Sequence, residues 1–181
     1  MLLTKDDWIR AGLRVLAESG IEHVKVENLA KMLQISKGSF YHYWKNRAVF
    51  LQALLAYWAE YGTAATIAEL EKKPDPAERL ERLIEQSFAR NQSLEASVHQ
   101  WARHDPAVRR EVAQVEERRI HYIAYLLEES GYPVAKAQEM ARVFYLLYLG
   151  WIDLSQRDNS EESHRLALKS ARSVLNLLAG S

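Results

Sequence analysis

The chain has 181 residues with 24 Lys or Arg and 24 Asp or Glu, so its formal net charge is zero, and it contains no cysteine. These numbers exclude a disulfide-stapled secreted domain, a thiolate metal site and a thiol nucleophile, and they show no overall basic excess that would indicate nucleic acid. The N-terminal residues lack a signal-peptide pattern, and no stretch approaches the ~20 apolar residues that span a bilayer. We therefore expect a cytoplasmic protein without a membrane partner.

The composition predicts an all-α fold, because glycine and proline are scarce, alanine and leucine are abundant, and apolar and polar residues never alternate for long. Thr4 and the acidic residues after it resemble a capping box, which predicts a helix from about residue 5. Further helices are predicted over about 26–33 and 37–44, and a fourth after Asn46, which can cap it.

Later helix starts are marked by proline. Asp75-Pro76 and Asp105-Pro106 each place a capping carboxylate before a proline at the first helical position. The helix or pair of helices after Pro106 is expected to end at Gly131. Two more helices are predicted over about 134–156 and 161–179.

Charge is unevenly distributed along the neutral chain. Residues 1–47 hold eight basic and five acidic residues, and residues 25–47 hold five basic residues and one acidic residue. A local excess of this kind steers a protein toward phosphates. A solvated helix face would explain the excess equally well if charge were the only indication.

The segment from Val26 to Trp44 has the layout of a helix-turn-helix. Leu29 begins the inward face of the first helix, Ala30 is small where the second helix must cross closely, and Ile35 fills the turn.

The second helix of this segment is expected to divide into two faces at about 100° per residue. Phe40 and Trp44 fall on the side facing the core, whereas Gly38, Ser39 and His42 fall on the outward side.

Tyr41 and Tyr43 lie at the borders of the outward face, where their hydroxyls could donate to phosphate oxygens. Core packing is the alternative for both tyrosines and for Trp44, and we adopt it for Trp44.

The run Ile9–Gly20, the pair Leu29–Ala30 and the run Ile35–Arg47 together resemble the N-terminal domain of the TetR family of transcriptional regulators. The resemblance implies an all-helical homodimer. It also implies an N-terminal helix-turn-helix DNA-binding domain, here 1–47, and a larger ligand-binding and dimerisation domain, here 48–181.

By position, the resemblance implies DNA contacts at Lys37, Ser39, Tyr41, His42, Tyr43 and Arg47, with His42 at the base edges. We add Gly38, whose missing side chain lets the backbone approach the DNA, and Lys25 and Lys45, whose charges suit phosphates.

The sequence departs from the family pattern at four places. Lys25 replaces a threonine that usually caps the second helix, so we expect that cap to be lost. Gln34 replaces the usual turn glycine, and a left-handed Gln costs roughly 1 kcal/mol. Tyr43 and Arg47 stand where histidine and lysine are common, and both keep the ability to donate to phosphates.

The run 143–152 is apolar on every side, so its helix is expected to be buried all round. In a chain of this size that is easiest if one face meets the bundle and another meets a partner subunit. We predict a four-helix homodimer interface from the helices near 134–156 and 161–179 of each subunit.

A ligand pocket is expected among the central helices, lined by aromatic residues and a few polar groups. Ordinary core or interface packing is the alternative for each candidate. The candidates are Trp58, Tyr61, Phe88, Gln92, His99, Trp101, Tyr122, Tyr125, Phe144, Tyr148 and Trp151. This lining favours a flat or hydrophobic inducer.

An enzyme is the main alternative from another class. A helical metal enzyme needs paired Glu-x-x-His motifs, but only Glu161 to His164 fits, and no Gly-rich phosphate loop occurs. We therefore expect no catalytic residues, no metal and no cofactor. A purely structural helical protein is the second alternative, and the outward face with its flanking tyrosines argues against it.

The resulting hypothesis is a repressor that a small-molecule inducer releases from a near-palindromic operator in double-stranded DNA; activation by the same fold is the alternative. If Lys25, Lys37, Lys45 and Arg47 of both subunits met phosphates, log affinity against log salt would have a slope of about −7.

Overall fold

The computed structural model describes residues 3–89 and 92–179, and within these residues all regular structure is helical. The predicted all-α fold is therefore confirmed. The chain divides into two compact units, one made of residues up to 62 together with 93–112, and the other of the remaining residues. The boundary predicted between residues 47 and 48 stays a prediction.

Ten α-helices occur in the described residues. In chain order they are α1 (Lys5–Ser19), α2 (Val26–Met32), α3 (Gly38–Tyr43), α4 (Arg47–Ala59), α5 (Ala65–Leu70), α6 (Pro76–Ala89), α7 (Ser93–His104), α8 (Pro106–Glu129), α9 (Val134–Ser155) and α10 (Glu161–Ala179). A 3₁₀ turn, Ile21–His23, joins α1 to α2, and a π-helical turn, Glu60–Ala64, lies between α4 and α5.

Apart from that of α3, the predicted helix starts are confirmed, and capping chemistry explains three of them. The amide of Asp7 donates to Thr4 Oγ1 over 3.3 Å while the amide of Thr4 donates back to Asp7 Oδ2 over 2.8 Å, which completes the capping box of α1. Asn46 Oδ1 accepts from the amide of Val49 over 2.9 Å at the start of α4. Asp105 caps α8 in the same way.

Some predicted bounds differ from the structure. The second helix of the helix-turn-helix is predicted over 37–44 but covers Gly38–Tyr43, because Lys37 is its N-cap residue and Trp44 has extended backbone dihedrals. Of the two alternatives predicted after Pro106, the single helix is the one that forms. Helices α5 and α7 were not predicted.

The first unit is built on a cluster of aromatic rings. Phe40 of α3 is fully buried and meets Trp8 of α1 edge to face, with ring centroids 5.3 Å apart. Phe50 of α4 lies 5.4 Å from Phe40 and 5.3 Å from Trp44, also edge to face. Such offset and edge contacts are the favoured geometries for aromatic pairs. The prediction that Phe40 and Trp44 face the core is confirmed.

The close approach of α1 to α4 depends on a glycine. A methyl group on Gly12 Cα would lie 2.7 Å from Cζ of Phe50 and 2.8 Å from Cδ1 of Leu54. Both of those side chains are fully buried, so neither has space to retreat. The same helix α1 also packs against α7 within this unit.

The second unit has its core between α6, α8, α9 and α10. Phe88, Leu127, Met140 and Phe144 are buried together there. At its surface, Arg172 of α10 pairs with Glu81 and Glu85 of α6, the latter at 3.2 Å, so α10 is held to α6 by polar as well as apolar contacts. No helix within residues 3–89 and 92–179 combines the length and apolarity that crossing a bilayer requires.

The glycine at the α1–α4 crossing leads to a stability prediction. We expect Gly12→Val to lower the free energy of unfolding by about 1–3 kcal/mol, because the added methyl groups overlap Phe50 and Leu54 in a filled core. Urea unfolding followed by circular dichroism measures this. The control Ala113→Val, at an exposed position of α8, should change it by no more than about 0.5 kcal/mol. Equal effects of the two substitutions would contradict the prediction.

Candidate nucleic-acid interface and ligand groove

The helix-turn-helix of the first unit is held by close backbone packing at its turn. Leu29 and Ala30 of α2 are buried, and the amide of Ile35 donates to the carbonyl of Ala30 over 3.0 Å. Gln34 has φ +57°, the only positive φ of a non-glycine residue in the described part of the chain. The expectation of a left-handed Gln in this turn is therefore confirmed, and the turn carries the associated strain.

Helix α3 presents a surface opposite Phe40. Gly38 and His42 are exposed there. Tyr41, beside this surface, is 61% exposed, and its ring meets that of Phe40 edge to face with centroids 5.4 Å apart. Ser39 is half-buried, with its hydroxyl oxygen 3.3 Å from that of Ser36. Four of the expected DNA-binding residues thus lie on or beside one face of a short helix.

Gly38 is not required by packing within the unit. A methyl group on its Cα would lie 3.7 Å from Ser36 Oγ, which is an ordinary van der Waals distance, and would meet nothing closer. The absence of a side chain therefore leaves the backbone open on the outer side of α3, where another molecule can approach it.

Lys25 precedes α2, Lys37 precedes α3 and Lys45 follows α3, but the partners of these lysines differ. Lys37 Nζ lies 2.9 Å from Glu27 Oε1, and its hydrogen bond holds the pKa of the Glu27 carboxyl below its usual value. Both side chains of this pair are more than half exposed, so the pair is weak and exchangeable. Lys25 and Lys45 are exposed and have no ion pair among the described residues.

Lys25 also occupies the N-cap position of α2 without a side-chain hydrogen bond to the helix. The expected loss of this cap is confirmed. The first amides of α2 lack the side-chain acceptor that a threonine would supply.

Two expected DNA-binding residues are tied to the protein backbone. The hydroxyl of Tyr43 donates to the carbonyl of Leu3. Arg47 donates from Nε to the carbonyl of Val24 over 2.7 Å and from Nη2 to the carbonyl of Ile21 over 3.0 Å. These contacts join residues far apart in sequence, so sequence spacing did not predict them.

The expected ligand-binding residues fall in both units. Trp58, Tyr61, His99 and Trp101 belong to the first unit. There the buried Trp58 donates from Nε1 to Glu95 over 2.9 Å, and Trp101 is also buried. Tyr61 is exposed and stacks on Tyr57, with ring centroids 4.0 Å apart.

Five of the expected ligand residues pack inside the second unit. Phe88 meets Phe144 and Tyr148 edge to face, and the Tyr148 hydroxyl donates to Gln92 Oε1 over 3.1 Å. Trp151 is buried against His164, with ring centroids 5.1 Å apart. These residues thus pack within the unit, which is the alternative predicted for each candidate.

The two remaining candidates line a groove of about 460 Å³ in the second unit. Its walls are Tyr122 and Tyr125, which the sequence analysis named, and Ile67, Glu117, Arg118 and His121, which it did not. Five of these residues lie within 117–125 on α8, spaced so that they share one helix face. That spacing is the sequence signal that could have revealed the groove.

The ring of Tyr122 is fixed as a wall of this groove. Its hydroxyl donates to Glu71 over 2.8 Å, and the other oxygen of Glu71 accepts from Arg79 at 3.0 Å. Burial, reinforced by the bond to the Glu71 carboxylate, raises the pKa of the Tyr122 hydroxyl well above its usual value. Tyr122 therefore stays neutral and hydrogen-bonded. The described residues contain no cluster of three His, Asp or Glu that could hold a metal ion.

Comparison with known proteins gives consistent matches. Residues 9–54 match the family described as bacterial regulatory proteins of the tetR family. The transcriptional regulator AcuR of Cereibacter sphaeroides is 38% identical over 93 residues, which cover 49% of this chain and 42% of AcuR. The HTH-type transcriptional regulator BetI of Burkholderia cenocepacia is 26% identical over 96% of this chain and 92% of BetI.

The fold also matches solved structures over almost its full length. A crystal structure of a putative transcriptional regulator from Saccharomonospora viridis in complex with choline superposes with a TM-score of 0.82, covering 95% of each chain at 18% identity. At this identity the match shows a shared fold.

The strained turn gives a prediction specific to this site. We expect Gln34→Gly to raise the free energy of unfolding by up to about 1 kcal/mol, because glycine adopts positive φ without a steric penalty. Urea unfolding midpoints measure the change. The control Gln52→Gly, on the exposed side of α4, should instead lower stability by about 0.5–1 kcal/mol. A loss at both positions would contradict the assignment of strain to the turn.

Proposed function

The chain belongs to the tetR family of bacterial regulatory proteins and is a DNA-binding transcriptional regulator, and we propose that it is a homodimeric repressor released from its operator by a small molecule. The observation that carries the proposal is the exposed face of α3, with Gly38, Tyr41 and His42 on a helix anchored by the buried Phe40. A rigid helix with an open outer face suits insertion into a major groove.

Within this proposal the residues of α3 have different roles. His42 reaches base edges, Gly38 lets the helix backbone come close to the DNA, and Tyr41 and Ser39 donate to phosphates beside the groove. Tyr43 reaches a phosphate only by sharing or exchanging its bond to the Leu3 carbonyl.

The lysines near α3 supply the charge for phosphate binding. Lys25 and Lys45 are exposed, and Lys37 can leave Glu27 for a phosphate at little cost, since an exposed ion pair contributes at most about 1 kcal/mol. With three lysines per subunit, a dimer neutralises about six phosphates, which corresponds to a salt slope of about −5. This is smaller than the slope expected when Arg47 is counted as a phosphate contact.

Exposed apolar residues on α9 and α10 support the homodimer. Leu146, 67% exposed, Gly150 and Leu154 follow one another at intervals of four residues on α9. Leu166 and the 74% exposed Leu177 lie on α10, which packs against α9. A partner subunit that covers these residues would bury the outer side of the apolar run 143–152, and large exposed apolar surfaces commonly mark interfaces.

The groove on α8 supports a small-molecule effector. Tyr122, Tyr125 and Ile67 give it apolar walls, and Glu117, Arg118 and His121 give it polar groups at the rim. We propose that an effector with an aromatic or other flat apolar body binds there and shifts the dimer to a state that fits the operator less well. Choline, which the Saccharomonospora viridis protein binds, serves as one test compound.

Selection of bound duplexes from a random DNA pool tests the proposed function. We expect enrichment of a near-palindrome whose half-sites are about one helical turn apart, roughly 34–36 Å. Fluorescence anisotropy with the enriched duplex should give a log–log salt slope of about −5. Absence of enrichment, or a slope near zero, would refute the proposed docking.

Lys45 provides the matched variant for this measurement. Lys45→Ala should reduce the magnitude of the salt slope by about 2, one phosphate for each subunit. Lys72→Ala removes the same charge from an exposed site of the second unit and should leave the slope unchanged.

The dimer proposal gives a separate prediction. We expect Leu146→Glu to yield monomers at micromolar concentration by light scattering, because each subunit would bury a carboxylate without a partner in the proposed interface. Ala113→Glu, which places the same charge on an exposed position of α8, should leave the dimer intact. A wild-type monomer, or a dimeric Leu146→Glu protein, would contradict the proposed interface.

A further inference from the structure

We propose that Arg47 acts on operator affinity as a positioning residue, which fixes the start of α4 to the turn before α2, and not as a phosphate contact. The proposal rests on the DNA-binding function proposed above. It concerns what fixes the conformation of the helix-turn-helix, α2 and α3. Neither the family match nor the matched proteins specify this.

The contact is a fork of two charge-assisted hydrogen bonds to backbone carbonyls. Arg47 Nε donates to the carbonyl of Val24 over 2.7 Å, and Nη2 donates to that of Ile21 over 3.0 Å. Both acceptors lie at the 3₁₀ turn Ile21–His23, one of them on the fully buried Val24. Hydrogen bonds from a charged donor are stronger than neutral ones.

The position of Arg47 in the chain explains why this fork matters. Only Trp44, Lys45 and Asn46 separate it from the last residue of α3. On the other side, its acceptors Ile21 and Val24 lie within the four residues before Lys25, the N-cap of α2. One side chain therefore joins the chain entering the helix-turn-helix to the chain leaving it.

Only an arginine side chain at position 47 can donate both hydrogen bonds of this fork. The planar guanidinium offers Nε and Nη donors in a fixed fork, whereas a lysine ammonium is a single point charge. Lysine would retain the positive charge, and so a phosphate contact, but it would not reproduce the pair of bonds to the Val24 and Ile21 carbonyls. The Arg47→Lys substitution therefore separates the two roles.

A second arginine of the same unit provides a matched control. Arg109 of α8 donates from Nε to the carbonyl of Ala102 over 3.2 Å and from Nη2 to that of Arg103 over 3.0 Å. This fork ties the end of α7 to α8 and involves no residue of α2 or α3. Arg109→Lys makes the same chemical change outside the helix-turn-helix.

The experiment compares the wild type with Arg47→Lys, Arg47→Ala and Arg109→Lys. Operator binding is measured by fluorescence anisotropy over a range of salt concentrations, at a temperature where circular dichroism shows each protein folded. We expect both Arg47 variants to bind the operator about tenfold more weakly, because the two hydrogen bonds to the Val24 and Ile21 carbonyls are lost. The salt slope should equal that of the wild type, because no phosphate contact is lost. Arg109→Lys should bind the operator like the wild type.

Three outcomes of the binding measurements would overturn the proposal. The first is wild-type operator affinity in Arg47→Lys, and the second is a slope reduced by about 2 in Arg47→Ala, since each indicates a phosphate contact. The third is an equal loss of affinity in Arg109→Lys, which would indicate general destabilisation.

Amide hydrogen exchange without DNA tests the positioning itself. Exchange in residues 24–43 should become faster in Arg47→Lys and stay at the wild-type rate in Arg109→Lys; unchanged exchange in Arg47→Lys would overturn the proposal. A wild-type protein that selects no DNA would refute the proposed function, whereas the exchange result would still report whether Arg47 holds the segment.

Discussion

The position of the proposed DNA-binding helix α3 depends on the packing of the fully buried Phe40 ring. Helix α3 has only six residues, far fewer than an isolated helix needs to be stable in water. Its conformation and direction therefore come from tertiary packing, above all from the edge-to-face contacts of Phe40 with Trp8 of α1 and Phe50 of α4. Because Gly12 lets α1 and α4 approach closely, those two rings can reach Phe40 at the same time.

The basic residues of the helix-turn-helix region differ in how strongly the protein itself binds them, which the neutral net charge of the chain does not show. Lys25 and Lys45 stay exposed beside α3, whereas Lys37 is held by Glu27, and Arg47 by two backbone carbonyls. A charge held by an exposed carboxylate remains available to a phosphate, because such pairs are weak. A guanidinium that donates to two backbone carbonyls is bound to the fold more firmly, since its movement would break two charge-assisted hydrogen bonds at once.

The sequence predicted the features that local chemistry determines. The caps at Thr4 and Asn46 depend on neighbours three residues away, and the inward direction of Phe40 depends on helical periodicity. Tyr43 and Arg47 were different, because their partners at Leu3, Val24 and Ile21 lie 23 to 40 residues away. Side-chain type shows that these residues can donate hydrogen bonds, but only the fold determines where they donate.

The difference between local chemistry and the fold also explains why most of the predicted ligand-binding residues lie outside the groove. Aromatic composition selected Phe144 and Trp151, which are core residues, because a buried ring and a ring in a groove look alike in a sequence. Arg118 and His121, which also line the groove, were missed because a charged or polar side chain in a groove and one on an open helix surface look alike in a sequence.

Helical periodicity places the packing residue of α3 and its exposed residues on different sides of the helix. Phe40 carries the packing, so substitution there would remove the support of the whole helix. Gly38 and His42 lie on the opposite side and are exposed, and for Gly38 the surrounding space is open. Changes at these two positions would alter which bases the helix can meet while leaving the core contacts intact. Under the proposed function, the residues that would meet the bases are therefore not the residue that holds α3 in the fold.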